Sequence, residues 1–275
     1  PIWAIGRGAL QRAGEALGAI RAQDLAAEAE VRALNAALPV GGEALLVDID
    51  WKYPEADSTH APRVQKFRLD LLQELSRKLD IAFRFLLPDE RAEDCAPGAI
   101  GLLIMGGSDI HPKFYGQEPA GTKLRPESAL RYEKTLAAYR WARRRVPVLG
   151  ICFGAQFLCV AEGGSLVQHK ADADRHKQRM LKLFLEEGSW LRAAVGDEEM
   201  ISTCNHHQGY DRIPDFFRVS ARDEEGEPHA IENVEGTPVV GFVSHPERSE
   251  DDPRNMQLLR AFVEICRAAM APSAT

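Results

Sequence analysis

The stretch Pro147 to Gln156, reading PVLGICFGAQ, limits what this chain can fold into more than any other. A short apolar run suited to a buried strand enters a turn with glycine at 150 and 154 on either side of Cys152, and continues as a helix. Where strand and helix converge this tightly there is no room for side chains, which accounts for Gly150 and Gly154. The residue between them is held in a strained backbone conformation, with its side chain thrust out at the carboxyl edge of a sheet. The following helix directs its N-terminal dipole and free N–H groups at that side chain, which favours a thiolate and an oxyanion nearby. Taken alone, the same G-x-C-x-G also describes a tight turn around a buried thiol.

The rest of the chain supplies a sheet for this turn to sit on. After Gly42, short apolar runs alternate with amphipathic segments, the signature of strand-helix-strand units around a mostly parallel sheet buried on both faces. Ala44 to Ile49 reads as the first strand, and Val64, Phe67, Leu71, Leu72, Leu75 and Leu79 mark one face of the helix that follows. Strands are expected at Ile81 to Leu87, Ile100 to Met105 and Pro147 to Ile151, with a helix from Glu127 to Arg144. From Ser165 to Ile231 the pattern is less regular, with strands expected at Leu181 to Leu185, Met200 to Thr203 and Phe217 to Ala221. Pro238 to Val243 reads as the last core strand. Asp252 caps a closing helix that carries Met256, Leu259, Val263, Cys266 and Met270 on one stripe.

Residues 1–40 differ from this pattern. Ile2 to Leu38 is rich in helix formers and ends at Pro39, which predicts one long helix or two broken near Gly14 and Gly18. Leu10, Leu17, Val31 and Leu38 recur at sevens beside Ala13, Ile20, Ala27 and Leu34. That stripe either packs on the chain's own body or pairs two copies into a homodimer. The expected organisation is an N-terminal helical extension over 1–40 and one catalytic α/β domain over 41–275.

Composition excludes several functional classes. A net charge of −7 argues against a general affinity for nucleic acid. Apolar runs fall short of the ~20 residues that span a bilayer, so a cytoplasmic protein without membrane partners is expected. Five scattered cysteines, Cys95, Cys152, Cys159, Cys204 and Cys266, have no close-paired zinc spacing and suggest no disulfide scaffold.

Two further motifs give Cys152 chemical company. Ser244-His245-Pro246-Glu247 follows the last expected strand, so a histidine and a carboxylate reach the sheet edge where ligands of open α/β sheets bind. A carboxylate two residues beyond the imidazole, behind a rigid proline, can hold the ring in one tautomer. Met105-Gly106-Gly107-Ser108-Asp109-Ile110-His111-Pro112 is another strand running into a glycine pair, whose backbone N–H groups can approach a developing oxyanion. Gly106, Gly107 and the N–H of Phe153 are therefore the oxyanion-hole candidates, and Asp109 and His111 are read as polar loop contacts, not metal ligands. Cys204-Asn205-His206-His207-Gln208 is a dense polar cluster after an apolar strand.

Together these segments resemble the class I glutamine amidotransferases, and especially their γ-glutamyl-GABA hydrolase-like branch, over roughly Ala44 to Ala269. GGSDIHPKFYGQEP from Gly106 to Pro119, LGICFGAQ from Leu149 to Gln156, EGGSL from Glu162 to Leu166 and CNHHQ from Cys204 to Gln208 carry the likeness. The resemblance implies a flavodoxin-like sheet flanked by helices. It also implies Cys152, His245 and Glu247 as a catalytic triad, with Gln156, His207 and Gln208 near the γ-glutamyl group. Bottom-up, Gln156 equally suits a helix cap. The implied activity is hydrolysis of a small-molecule γ-glutamyl amide through a thioester, with no cofactor. The alternatives are a glutaminase subunit that feeds ammonia to a separate synthase, or a non-catalytic binder of γ-glutamyl compounds. The chain departs from the branch at Val243-Ser244, where Q-W is usual, and at Phe153, where many members have arginine.

Overall fold

The apolar runs at Ala44, Ala82, Ala99 and Val148 find one another as parallel strands, because runs this apolar must be covered on both faces. In the computed structural model, which describes residues 25–53, 62–95, 97–249 and 251–270, these strands are β2 (Ala44–Asp48), β4 (Ala82–Phe85), β5 (Ala99–Ile104) and β6 (Val148–Ile151). With β13 (Val239–Phe242) they form a parallel core in the order β4-β2-β5-β6-β13. The same sheet continues antiparallel through β12 (Pro228–Asn233), β11 (Phe217–Asp223), β8 (Lys177–Leu185) and β9 (Glu199–Asn205), giving nine strands. The mostly parallel sheet with flanking helices is thus present, with an antiparallel wing along one side.

Helices cover both faces of the parallel core. On one side α2 (Lys66–Leu79) packs Leu69, Leu72, Leu75 and Leu79 beside Leu259, Phe262, Val263 and Cys266 of α6 (Pro253–Met270). On the other, α3 (Ser128–Ala142) brings Tyr132 and Tyr139 against Phe157 and Leu158 of α4 (Phe153–Ala161). A short α5 (Trp190–Val195) covers the wing with Leu191 and Val195. The Asp252 carboxylate accepts the N–H of Arg254 at 3.0 Å, so the expected cap of α6 is in place.

Three expectations need correction. The helix expected through Leu38 does not run through residues 25–27, where β1 (Leu25–Ala27) pairs antiparallel with β3 (Arg63–Gln65). Helix propensity is a weak prior, and here the pairing that buries Ala26 against Val64 outweighs it. The helix α1 then spans only Glu28–Ala36, and Leu10, Ala13, Leu17 and Ile20 of the heptad stripe lie outside the described residues. Secondly, Phe67 is 56% exposed and Val64 belongs to β3, because α2 starts only at Lys66 and its buried face is set by Leu69 and Leu72. Thirdly, Met270 is half exposed at the end of the α6 stripe, past the last turn that the sheet covers.

Of the stripe's described members, Val31 is fully buried in the main core and Leu34 packs against it. This helix packs on the chain's own body. Truncating Val31 removes two buried methyl groups and leaves a cavity. Val31→Ala is expected to cost about 2 kcal/mol in urea unfolding and to leave the elution volume on size exclusion unchanged; a changed oligomeric state at unaltered stability would contradict this placement.

Candidate active site

Cys152 follows β6, His245 follows β13, and Gly106 follows β5, so three adjacent parallel strands deliver all three to one carboxyl edge. Cys152 adopts φ 52°, ψ −104°, a left-handed conformation that side-chain-bearing residues adopt only under constraint. The constraint is visible in the neighbouring glycines. A Cβ on Gly150 would lie 2.5 Å from the Gly154 carbonyl, and one on Gly154 would lie 2.3 Å from the Ile104 carbonyl oxygen. The Cys152 N–H is anchored by donating to Phe242 O at 2.9 Å, which ties the elbow to β13.

His245 is buried and its Nδ1 lies 2.7 Å from Glu247 Oε1. This leaves Nε2 for the sulfur, and both side chains border Gly106, where an added Cβ would lie 3.1 Å from His245 Cε1 and 3.9 Å from Cys152 Sγ. Burial works against a charged imidazole, but the Glu247 carboxylate and the Cys152 thiolate outweigh it and push His245 up from its ordinary 6.5 to about 9. Burial likewise opposes the Glu247 charge, and the His245 imidazolium overcomes it to hold the carboxyl below its usual range. Burial pushes the Cys95 thiol up to about 11 and those of Cys159 and Cys204 up to about 12, so these three remain inert thiols. All five cysteines are free.

The two glycines of the Gly106–Gly107 pair face different neighbours. A Cβ on Gly106 would sit 3.1 Å from His245 Cε1 and 3.9 Å from Cys152 Sγ, so any larger residue there would crowd both. A Cβ on Gly107 would instead meet the Asp50 carboxyl at 3.2 Å. Arg68 of α2 donates from Nη1 to Gly106 O at 3.0 Å. A trans peptide opposes its C=O and N–H, so this bond fixes the Gly107 N–H in the opposite direction. Arg68 had no signal in the sequence, being one arginine on an amphipathic helix. Phe153 is buried at the first position of α4, and the Arg131 guanidinium lies 4.9 Å from its ring centroid. A cation therefore reaches this place from α3, where the resembled branch often carries an arginine at the elbow itself.

The other expected residues divide by role. Gln156 does not act as the helix cap: its Nε2 donates to Gln208 O at 3.1 Å, joining α4 to the 206–208 segment. The Gln208 amide is buried and neither of its ends has a hydrogen-bond partner among the described residues; the buried Tyr115 hydroxyl likewise has none. His207 is engaged elsewhere, with Nε2 2.9 Å from Asp109 Oδ2 and its ring beside His169. Asp109 also accepts the Lys123 N–H, and His111 accepts that of Lys113, the loop contacts expected of both. Ser244, where tryptophan is usual, is buried with its hydroxyl 3.2 Å from His229 Nδ1.

Strained cysteine, adjacent histidine and parallel core together define a protein of the class I glutamine amidotransferase-like group. A profile of the peptidase C26 family matches residues 77–247, and the chain belongs to that family. It is 34% identical over 193 residues to a Mycobacterium tuberculosis protein assigned only by name to the glutamine amidotransferases, covering 65% of this chain but 61% of that relative's length. It is also 26% identical over 196 residues to the γ-glutamyl-γ-aminobutyrate hydrolase PuuD of Escherichia coli, covering 65% of this chain and 76% of that one. The solved structure of a Thermotoga maritima glutamine amidotransferase superposes with a TM-score of 0.56 at 15% identity, over 83% of this chain and 99% of that one, a likeness of fold. No helix among the described residues is long and apolar enough to cross a membrane.

The ion pair has a definite pH window. The raised His245 contributes stability in full below 6.5 and loses it as pH rises through about 9, whereas the depressed Glu247 contributes above 4.5 and loses it as pH falls further. NMR titration of His245 should give a midpoint near 9, moving down in Cys152→Ser because the contribution of the Cys152 sulfur is removed. A midpoint at 6.5 in both proteins would contradict the coupling.

Proposed function

We propose that this chain is a free-standing hydrolase of γ-glutamyl amides, with Cys152, His245 and Glu247 as its catalytic triad. The observation that carries the reading is the strained Cys152 at the same strand edge as a buried His245 that is itself 2.7 Å from a buried carboxylate. In this reading the thiolate adds to the γ-carbonyl carbon, and the carbonyl electron pair moves to an oxygen held by N–H groups of Phe153 and the Gly106–Gly107 loop. The tetrahedral intermediate collapses, the C–N bond breaks, and the leaving amine takes the proton from His245 Nε2. A γ-glutamyl thioester remains on Cys152. Water then gives a proton to the now neutral His245 and attacks the thioester; glutamate departs, and the thiolate–imidazolium pair is restored. The sum is amide plus water to glutamate plus amine, with no cofactor.

The γ-glutamyl head carries an α-amino and an α-carboxylate group, and both need polar partners once out of water. The unpaired Gln208 amide, tied to the elbow helix through Gln156, supplies these. Gln156 acts as a positioning residue for that segment, and His207 is reserved for Asp109. The name of the E. coli relative supports an extended amine as leaving group.

A panel of γ-glutamyl amides that includes glutamine, assayed for released amine without any partner protein, tests the proposal. Turnover of an extended amide above glutamine is expected, falling at least roughly ten-thousand-fold in Cys152→Ala. Glutamine turnover that appears only on adding a synthase would instead identify a glutaminase subunit, and tight binding without turnover a non-catalytic binder.

A further inference from the structure

Behind the catalytic histidine lies a second group of side chains that the hydrolytic reading does not use. His176 stands just before β8, His206 just after β9, and His229 on β12. One ring nitrogen from each lies within 4.8 Å of those of the other two. His176 and His229 are almost completely buried and His206 is half-buried. Each ring uses one nitrogen outward: His176 Nε2 faces Asp172 Oδ2 at 3.2 Å, His206 Nδ1 faces Gln208 O at 2.8 Å, and His229 Nδ1 faces Ser244 Oγ at 3.2 Å. Each keeps its other nitrogen, His176 Nδ1, His206 Nε2 and His229 Nε2, buried with no hydrogen-bond partner among the described residues. Asp223 Oδ2, also buried and unbonded, lies 3.5 Å from His229 Nε2.

Buried ring nitrogens left unmet are costly: among the described residues His176 Nδ1 and His206 Nε2 have no hydrogen-bond partner, and His229 Nε2 faces only the Asp223 carboxylate at 3.5 Å. A common ligand that accepts three lone pairs would meet them together. The outward bonds are those that orient a metal-ligating imidazole, since an oxygen acceptor on one nitrogen places the N–H there and leaves the lone pair on the other. Burial also holds His206 well below its ordinary range and His176 below it, which keeps both rings in the neutral, ligating form. Three imidazoles with one carboxylate are a donor set for a four-coordinate zinc-like ion. Bonds of about 2.1 Å put tetrahedral ligand nitrogens about 3.4 Å apart, so the widest pair of imidazole nitrogens, within 4.8 Å, must close by about 1.4 Å at most, and the carboxylate moves in beside His229. The nearby Lys170 ammonium is already paired with Glu227 and Asp172.

We propose that His176, His206 and His229, with the Asp223 carboxylate as fourth donor, form a structural binding site for a divalent transition metal of the zinc type. The ion links four strands of the antiparallel wing. Through Ser244, the neighbour of His245, and through the 206–208 segment, it steadies the backbone on which the catalytic histidine and the Gln208 amide are mounted.

The test uses the full chain, stripped with chelator and titrated with Zn2+ against a chromophoric competitor, with Co2+ as spectroscopic probe. The expected result is one equivalent of Zn2+ bound per chain, a tetrahedral Co2+ absorption spectrum, and a Tm that rises with stoichiometric zinc. Cys152→Ala should bind zinc as the wild type does. His206→Asn should weaken binding at least about a hundredfold, and Asp172→Asn, which weakens the outward bond of His176 along with the longer Lys170 and Arg175 pairings, about tenfold or more. If His206→Asn does not fold, Asp172→Asn carries the comparison. Failure of the wild type to bind Zn2+, or binding lost in Cys152→Ala but kept in His206→Asn and Asp172→Asn, would overturn the proposal.

Discussion

The geometry of the site depends on how closely β6, α4 and β5 approach one another around Cys152. Gly154 sits so close to the Ile104 carbonyl, and Gly150 to Gly154, that only hydrogen fits at either position. That close approach forces the turn between strand and helix into a single residue and gives Cys152 its positive φ. The strain, of the order of 1–3 kcal/mol, is held by interactions elsewhere, among them the Cys152 N–H bond to Phe242 O and the buried aromatic contact of Phe157 with Tyr139. A thiol on a relaxed loop would be free to turn from its histidine; here backbone sterics leave the sulfur one direction.

The rest of the molecule completes the constellation from several independent elements. The parallel register of Phe242 with Ile151 sets His245 beside Cys152, and the bond from the His245 N–H to Thr203 O at 2.7 Å braces the same residue from the wing. Glu247 is fixed in a short 3-10 turn opened by Pro246, so the carboxylate needs little ordering to reach Nδ1. Arg68, from the opposite helical layer, orients the Gly106 peptide. The antiparallel wing is more than an edge: it carries Gln208, whose backbone Gln156 grips, and the three histidines behind it.

What the sequence revealed follows from how local each determinant is. The elbow, the glycine pair and His-Pro-Glu are short segments whose steric or tautomeric logic is contained in a few neighbouring residues, so they were legible together with the strands that present them. The wing was less so. The strand β12 reads PHAIEN, which carries no clean alternation, and β7 (Ser165–Val167) and β10 (Gly209–Arg212) are short and pair with each other across the intervening chain. Residues 25–27 have helix-forming composition but are captured by β3, a partner that local propensity cannot see. Arg68, His176 and His229 each read in isolation as ordinary polar residues, and His206 only as part of the CNHHQ cluster; tertiary structure brings the three histidines together.

In the proposed chemistry, Cys152 carries the covalent intermediate. Acid-quenching the enzyme within its first turnover of a γ-glutamyl amide, followed by peptide mass mapping, tests it directly. The predicted result is a γ-glutamyl adduct on the peptide that contains Cys152 and on no other cysteine; a burst of released amine with the adduct on another residue, or with none, would contradict it.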